Sequence, residues 1–326
     1  DKSEVTKGGL MIRVSAEVMS NSDWMSQLPA ELHTVPLFNL AIPGSHDSMS
    51  YDLDIHSSIV EPDILKKFSK LYFMRKVVRK WAVTQEETIT KQLDAGVRYF
   101  DLRIARKPND SNPTRLYFYH GLYTRTDVET VLQEIHDWAL LHPKEILILA
   151  LSHFKGFTTT TEESLHTHLI HFIKTLFGDK LSTPTLELCW ERGNNIIISY
   201  DYQAAQDPEI WGNITYCYGN SMNPADVERK LSDFLEKERL IIPPAPPAGF
   251  FVCGLNLTLP ENAGVLKYIL CACDTLAKVI WRSLPELIRW LKQEGGKTPQ
   301  LVNIVASDLV TRGNFVSTVV KLNEKI

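Results

Sequence analysis

Short apolar runs alternate with longer stretches of helical spacing along most of the chain. The first run, "PLFNLAI" (36–42), is strand-like, and Pro43-Gly44 reads as the turn that ends it. "QEETITKQLDAG" (85–96) has an amphipathic helical pattern stopped by Gly96. "VRYFDLRI" (97–104) and "RLYFYHG" (115–121) read as strands joined by a loop alone. A helix over 127–143 follows, with an Asp cap and a Pro stop, then the strand "EILILALSHF" (145–154) and a helix over 162–178. "NIIISYD" (195–201) and "ITYCYGN" (214–220) read as strands, 224–240 as a helix and "GFFVCGLNLT" (249–258) as a strand. The pattern closes with a helix over 284–294, the strand "LVNIVASDLV" (301–310) and a helix over 313–325.

Eight strand candidates, mostly separated by helices, predict an α/β fold: one (β/α)8-type TIM barrel, with room for an irregular or incompletely closed wall. Residues 21–326 read as one barrel domain, 1–20 as a peripheral N-terminal extension and the Pro-rich 241–251 as a loop.

Composition narrows the function classes. A net charge of −4 and a pI near 6.2 give no support to nucleic-acid binding. No run approaches the roughly 18 apolar residues of a membrane span, and the N-terminal stretch lacks a signal-peptide core. Five cysteines without a CxxC spacing read as reduced thiols, so a cytoplasmic protein is expected. Asn109, Asn213 and Asn256 match Asn-x-Ser/Thr, a pattern expected by chance at this length.

In a β/α barrel the active site lies at the C-terminal strand ends. The strands here end at His46-Asp47, Asp101 with Arg103, His120, Ser152-His153, Tyr200-Asp201, Tyr218 with Asn220, Asn256 and Asp308. Asp101 and Arg103 alternate, so they share a face. Two histidines, an arginine and several carboxylates at one mouth suit acid–base chemistry at a phosphate. Each piece also has a plainer reading. His153 reads as a structural histidine, Asp101–Arg103 as a structural ion pair and Asp308 as a helix cap. His166, His168 and His171 read as a solvated helix face rather than a metal site.

"LAIPGSHDSMSYDLD", "QLDAGVRYFDLRI" and "LYFYHGLYT" together resemble the X region of phosphatidylinositol-specific phospholipases C. The opening "NSDWMSQLPAELHTVPLFNLAIPGSHDS" and the ending "NIVASDLVTRGNFVSTVVKLN" are similar to the small eukaryotic group containing an X domain alone, and the resemblance runs from about residue 21 to 326. It implies His46 as the general base toward the inositol 2-hydroxyl, Asp308 as its carboxylate partner and His120 as the general acid toward the departing diacylglycerol oxygen. Asp47 would assist His120, and Arg103 would neutralise charge on the phosphate. The expected products are diacylglycerol and an inositol 1,2-cyclic phosphate.

The calcium-dependent animal enzymes carry an acidic residue where this chain has Arg103, whereas the bacterial enzymes carry arginine. The resemblance therefore implies no metal and no cofactor. Asp101, His153, Tyr200, Tyr218 and Asn220 are expected at the substrate, Asp101 by orienting Arg103. The chain departs from the bacterial pattern where a lysine on the fourth strand and an arginine on the fifth contact inositol; Ser152-His153 and Ser199-Tyr200 stand there. That departure keeps a non-catalytic lipid- or inositol-phosphate-binding protein as the alternative. A metal-dependent phosphodiesterase is the third reading. The expected partner is an inositol phospholipid at a membrane surface, with peripheral contact through the basic and aromatic stretch 65–83. A helix whose apolar face merely packs on the barrel explains that stretch equally well.

Overall fold

The computed structural model describes residues 21–177, 180–205, 207–239, 249–271 and 274–326. The expected extension 1–20 and most of the Pro-rich loop 241–251 lie outside the described residues. Among the described residues nine strands form one sheet: β1 Ile42–Ser45, β2 Tyr99–Ala105, β3 Tyr117–His120, β4 Leu122–Asp127, β5 Leu147–Lys155, β6 Ile196–Tyr200, β7 Thr215–Tyr218, β8 Phe251–Gly254 and β9 Ile304–Ser307. Seven of them run parallel in the order β6-β5-β2-β1-β9-β8-β7. Helices cover the outer face, among them Val128–Leu141, Glu162–Leu176, Pro224–Phe234, Leu276–Trp290 and Phe315–Leu322. This is the expected α/β barrel with an open seam. Among the described residues no ladder joins β6 to β7; instead Trp211 bridges to Ser199 beside β6.

Two local expectations are corrected. The run 36–42 is not a strand: Leu37–Asn39 is a 3-10 turn, and Pro43-Gly44 lies inside β1 rather than ending it. Proline is tolerated there because the donors binding β1 to β9 are its neighbours, Ile42 N–H on Asn303 and His46 N–H on Ser307. Gly44 is needed because a Cβ would come within 2.9 Å of the Tyr99 ring. The second correction concerns 115–121, which is not a barrel stave. It is β3, antiparallel to the end of β2 and to β4. The β3–β4 turn at Gly121, with φ +73°, swings His120 toward the barrel mouth.

The strand pleat sorts the interior. Ile42, Tyr99, Ile148, Ala150, Ile197, Val252, Ile304 and Ala306 pack with Trp24, Met25, Leu37 and Phe38 in an inner core. Phe100, Leu102, Leu149, Leu151, Ile198, Cys253 and Val305 face the helices. Below the strands, buried Arg98 pairs with buried Glu145 at 3.0 Å and also donates to the carbonyls of Leu93, Val97 and Ser22. Glu145 in turn accepts from the N–H groups of Met25 and Ser26. Removing one partner of such a pair strands a buried charge. Glu145→Ala is therefore expected to cost about 3–5 kcal/mol in urea unfolding. A loss below about 1 kcal/mol, the value of an exposed pair, contradicts that assignment.

Candidate active site

The mouth of the barrel is a cleft of about 560 Å³ at the C-terminal strand ends. β1 delivers His46 and Asp47, β2 delivers Asp101 and Arg103, and the β3–β4 hairpin delivers His120. Asp308 follows β9 and lies behind His46, its Oδ1 2.7 Å from His46 Nδ1. That contact fixes the tautomer: Nδ1 carries the proton donated to Asp308, and Nε2 faces the cleft. Nε2 lies 3.2 Å from Asp47 Oδ2 and 3.4 Å from an Arg103 terminal nitrogen.

Asp47 is the hub. Its carboxylate reaches Arg103 Nε at 3.0 Å, His46 Nε2 at 3.2 Å and His120 Nε2 at 3.4 Å. Arg103 also pairs with Asp101 at 3.3 Å. Asp101 Oδ2 accepts the Asp47 backbone N–H at 3.0 Å, so the same carboxylate positions both chain and cation. Asp47 has φ +42°, a left-handed conformation that aspartate tolerates and most residues do not. His120 Nδ1 donates to the Ala82 carbonyl at 2.6 Å, which leaves its Nε2 toward Asp47.

Charge follows from this geometry. Burial works against a charged His46 ring, but Asp47 and then Asp308 outweigh it and lift the ring to about 9. Burial also opposes an ionised Asp47, yet Arg103 and the two histidines hold it well below the usual carboxylate range. Asp308, buried and facing Asp47, is raised. Arg103 stays charged: burial is outweighed by Asp101 and Asp47. His46, Asp47 and Asp101 offer ligand-type atoms within 4.8 Å of one another. Arg103 already rests on both of those carboxylates.

His153, Tyr218 and Asn220 line the same cleft, with His153 at φ +52° and Asn220 at φ +51°. Tyr200 does not line it. It points outward from β6 and is buried, and its hydroxyl lies 2.6 Å from His166 Nδ1. The pleat explains the difference: Ser199 and Asp201 face the cleft, so Tyr200 must face the helices. His166 corrects the solvated-face reading as well, being buried and stacked on Tyr202, whereas His168 pairs with Glu129 at the surface. The described cysteines 189, 217 and 253 are buried free thiols; Cys273 lies outside the described residues.

Several contributors were not legible in the motifs. Gln85, expected as the first residue of a helix, is a buried plug whose Nε2 donates to the carbonyls of His46 and Ser307 at 2.9 Å each. The helix begins later, at Ile89, capped by Thr88. Tyr216 lines the cleft and donates to Asn256 at 2.6 Å. Glu61 reaches the rim and pairs with Lys155 at 3.7 Å. The one available signal was the parity of Tyr216 with Tyr218 on the same face of β7.

Comparison with known proteins agrees with this geometry. Residues 68–199 match the model of the phosphatidylinositol-specific phospholipase C X domain. Human PI-PLC X domain-containing protein 1 is 39% identical over 94% of this chain and 94% of its own length. Mouse PI-PLC X domain-containing protein 3 is 34% identical over 93% of each. Among solved structures, a phosphatidylinositol-specific phospholipase C from Staphylococcus aureus covers 93% of this chain and 98% of its own at TM-score 0.65 and 17% identity. The enzyme from Listeria monocytogenes gives TM-score 0.60 at 19% identity, over 93% of this chain and 98% of its own. The bacterial structures share the fold, and the vertebrate sequences share nearly the whole chain. This chain belongs to the PI-PLC X domain-containing protein family.

Proposed function

We propose that this protein is a phosphodiesterase that cleaves an inositol phospholipid to diacylglycerol and an inositol cyclic phosphate without a metal ion. The observation that carries the reading is Asp47 held between His46, His120 and Arg103 at one barrel mouth. Neutral His46 Nε2 takes the proton of the attacking inositol hydroxyl, and Asp308 stabilises the imidazolium that forms. Protonated His120 gives its Nε2 proton to the leaving oxygen. Arg103 stabilises charge on the non-bridging phosphate oxygens, as a fixed cation can in place of a metal. Its contacts with Asp47 and Asp101 support metal independence, because those carboxylates are already neutralised.

Membrane contact is part of the same proposal. One S. aureus phospholipase structure concerns modulation of that enzyme's membrane binding. Here the helix Tyr72–Lys80 buries Met74 and Val78 but leaves Leu71, Tyr72 and Phe73 exposed, the last at 66%. Exposed Lys66, Lys67, Lys70 and Lys76 surround them. The helix thus packs and presents an apolar, basic face at once. No helix among the described residues is long and apolar enough to cross a membrane.

One observation favours a second reading. A His46 ring lifted to about 9 is cationic at neutral pH, so the resting site presents two cations to a phosphate. That suits binding without turnover, the behaviour of an inositol-phosphate sensor.

Diacylglycerol release from phosphatidylinositol vesicles with chelator present separates the readings. Wild type is expected to turn over, with His46→Ala reduced about 10²–10⁴-fold. Loss of turnover on chelation, or none at any metal concentration, overturns the proposal. The pH profile is a second check. The base must be neutral, so kcat/KM rises with pH through the His46 pKa. Asp308→Asn removes an anion that stabilises the imidazolium, so the rising limb should move to lower pH while the plateau falls. An unmoved limb rules His46 out as the base. Vesicle sedimentation tests docking: Phe73→Ala with Leu71→Ala should weaken binding about tenfold or more, from the apolar area withdrawn. Equal binding by the double variant removes this face from the account.

A further inference from the structure

A second cleft, of about 320 Å³, opens beside His120. It is continuous with the barrel mouth, since Glu61, His120, Leu259 and Glu261 line both. The two differ in chemistry. The mouth is walled by Arg103, His46, Asp201 and Asn220. One wall of the side cleft is Val78, Ala82, Val265 and Ile269, with Trp81 among them, while Asp63 and Lys155 join the shared Glu61 and Glu261 at its edge. Trp81 is 3% exposed, and its indole Nε1 is buried with no hydrogen-bond partner among the described residues. A buried N–H left without an acceptor is open to one supplied by a ligand in the cleft that Trp81 lines.

Under the proposed reaction the leaving oxygen sits at His120 Nε2, so whatever it carries must begin there. Two openings lead away from His120. An inositol ring, all hydroxyls, suits the polar mouth. A glycerol bearing fatty esters offers alkyl carbons and carbonyl acceptors but no donors. That matches the aliphatic wall of Val78, Ala82, Val265 and Ile269 with the unpaired Trp81 donor beside it. The volume lies at the low end for ligand clefts, enough for the glycerol, its esters and the first acyl carbons but not whole chains. The chains would continue past Ile64, which lines the cleft and is exposed.

We propose that the cleft bounded by Val78, Trp81, Val265 and Ile269 is the leaving-group subsite, which binds the ester-bearing glycerol of the lipid with Trp81 Nε1–H donating to an ester carbonyl. The assignment rests on the lipid-cleavage reading above, and its test is built so that each can fail alone. It makes Trp81 a specificity residue for the alcohol that departs and leaves headgroup selection to the mouth.

The binding arm needs no turnover. The full chain carries ¹⁵N-labelled tryptophan, and Trp81→Phe identifies the Trp81 indole resonance. Soluble dibutyroylglycerol is expected to shift that resonance, and the matching diether, which lacks carbonyls, to shift it much less. Trp81→Phe should bind the diester about 3–10-fold more weakly. A resonance unmoved up to the solubility limit, or moved equally by the diether, overturns the subsite.

The kinetic arm compares monomeric dibutyroyl-phosphatidylinositol with inositol 1,2-cyclic phosphate, which meets the same catalytic groups but has no lipid. The ratio of lipid cleavage to cyclic-phosphate hydrolysis should fall about 3–10-fold in Trp81→Phe, and further in Val265→Trp, which fills the cleft. An unchanged ratio in a folded Trp81→Phe overturns the subsite whatever Val265→Trp does. If wild type turns over neither compound, the cleavage reading fails and the indole titration alone decides what the cleft binds.

Discussion

The buried carboxylate of Asp47 has to answer to Arg103 and two histidine rings at once, and the rest of the site is arranged around that demand. A charge removed from water is tolerable only if its partners are close and themselves fixed. Arg103 and the two histidines supply the partners. Their fixing comes from elsewhere: Asp101 under Arg103, Asp308 behind His46, and the Ala82 carbonyl behind His120. Gln85 ties the carbonyls of His46 and Ser307 together, locking β1 to β9 at the point where both offer functional groups. The open seam between β6 and β7 lies away from this corner, whose strands β5, β2, β1 and β9 are continuously paired.

That corner was the most legible part of the chain. His46, Asp47, Asp101, Arg103, His120 and Asp308 each follow or end an apolar run, and strand alternation puts Asp101 and Arg103 on one face. Residues whose roles depend on backbone contacts were not legible. Gln85 looks like a helix residue until its side chain is seen under β1. His120 was expected from a parallel stave; it arrives from an antiparallel hairpin, because no local pattern distinguishes β3 from a barrel strand once β4 goes unread. Tyr200 was misread although the parity of Ser199 and Asp201 already assigned it outward. Trp81 counts in the sequence as one of the aromatics of the basic stretch 65–83 that would meet a membrane, but it is buried, and its indole nitrogen has no partner among the described residues.

The two clefts and the exposed helix face form one graded surface. Charged groups dominate the mouth around Arg103 and His46, Val78, Val265 and Ile269 add an apolar wall to the cleft beside His120, and Leu71, Tyr72 and Phe73 stand in solvent. A phospholipid has the same gradient from headgroup through ester region to chains. Under the proposed reaction the raised His46 ring fits this order: an anionic phosphate would meet Arg103 and a cationic ring on entry, with the neutral ring as the minor form that acts as base.

In the proposed reaction this corner moves the phosphoryl group from the glycerol oxygen to a neighbouring hydroxyl of the same inositol. Phosphorus-31 NMR of the protein acting on phosphatidylinositol vesicles tests it most directly, because a five-membered cyclic phosphodiester resonates apart from lipid diesters and from monoesters. The cyclic product is expected to appear first and any monoester later. A monoester as first product, or a lipid signal that persists unchanged while the protein binds the vesicles, would contradict it.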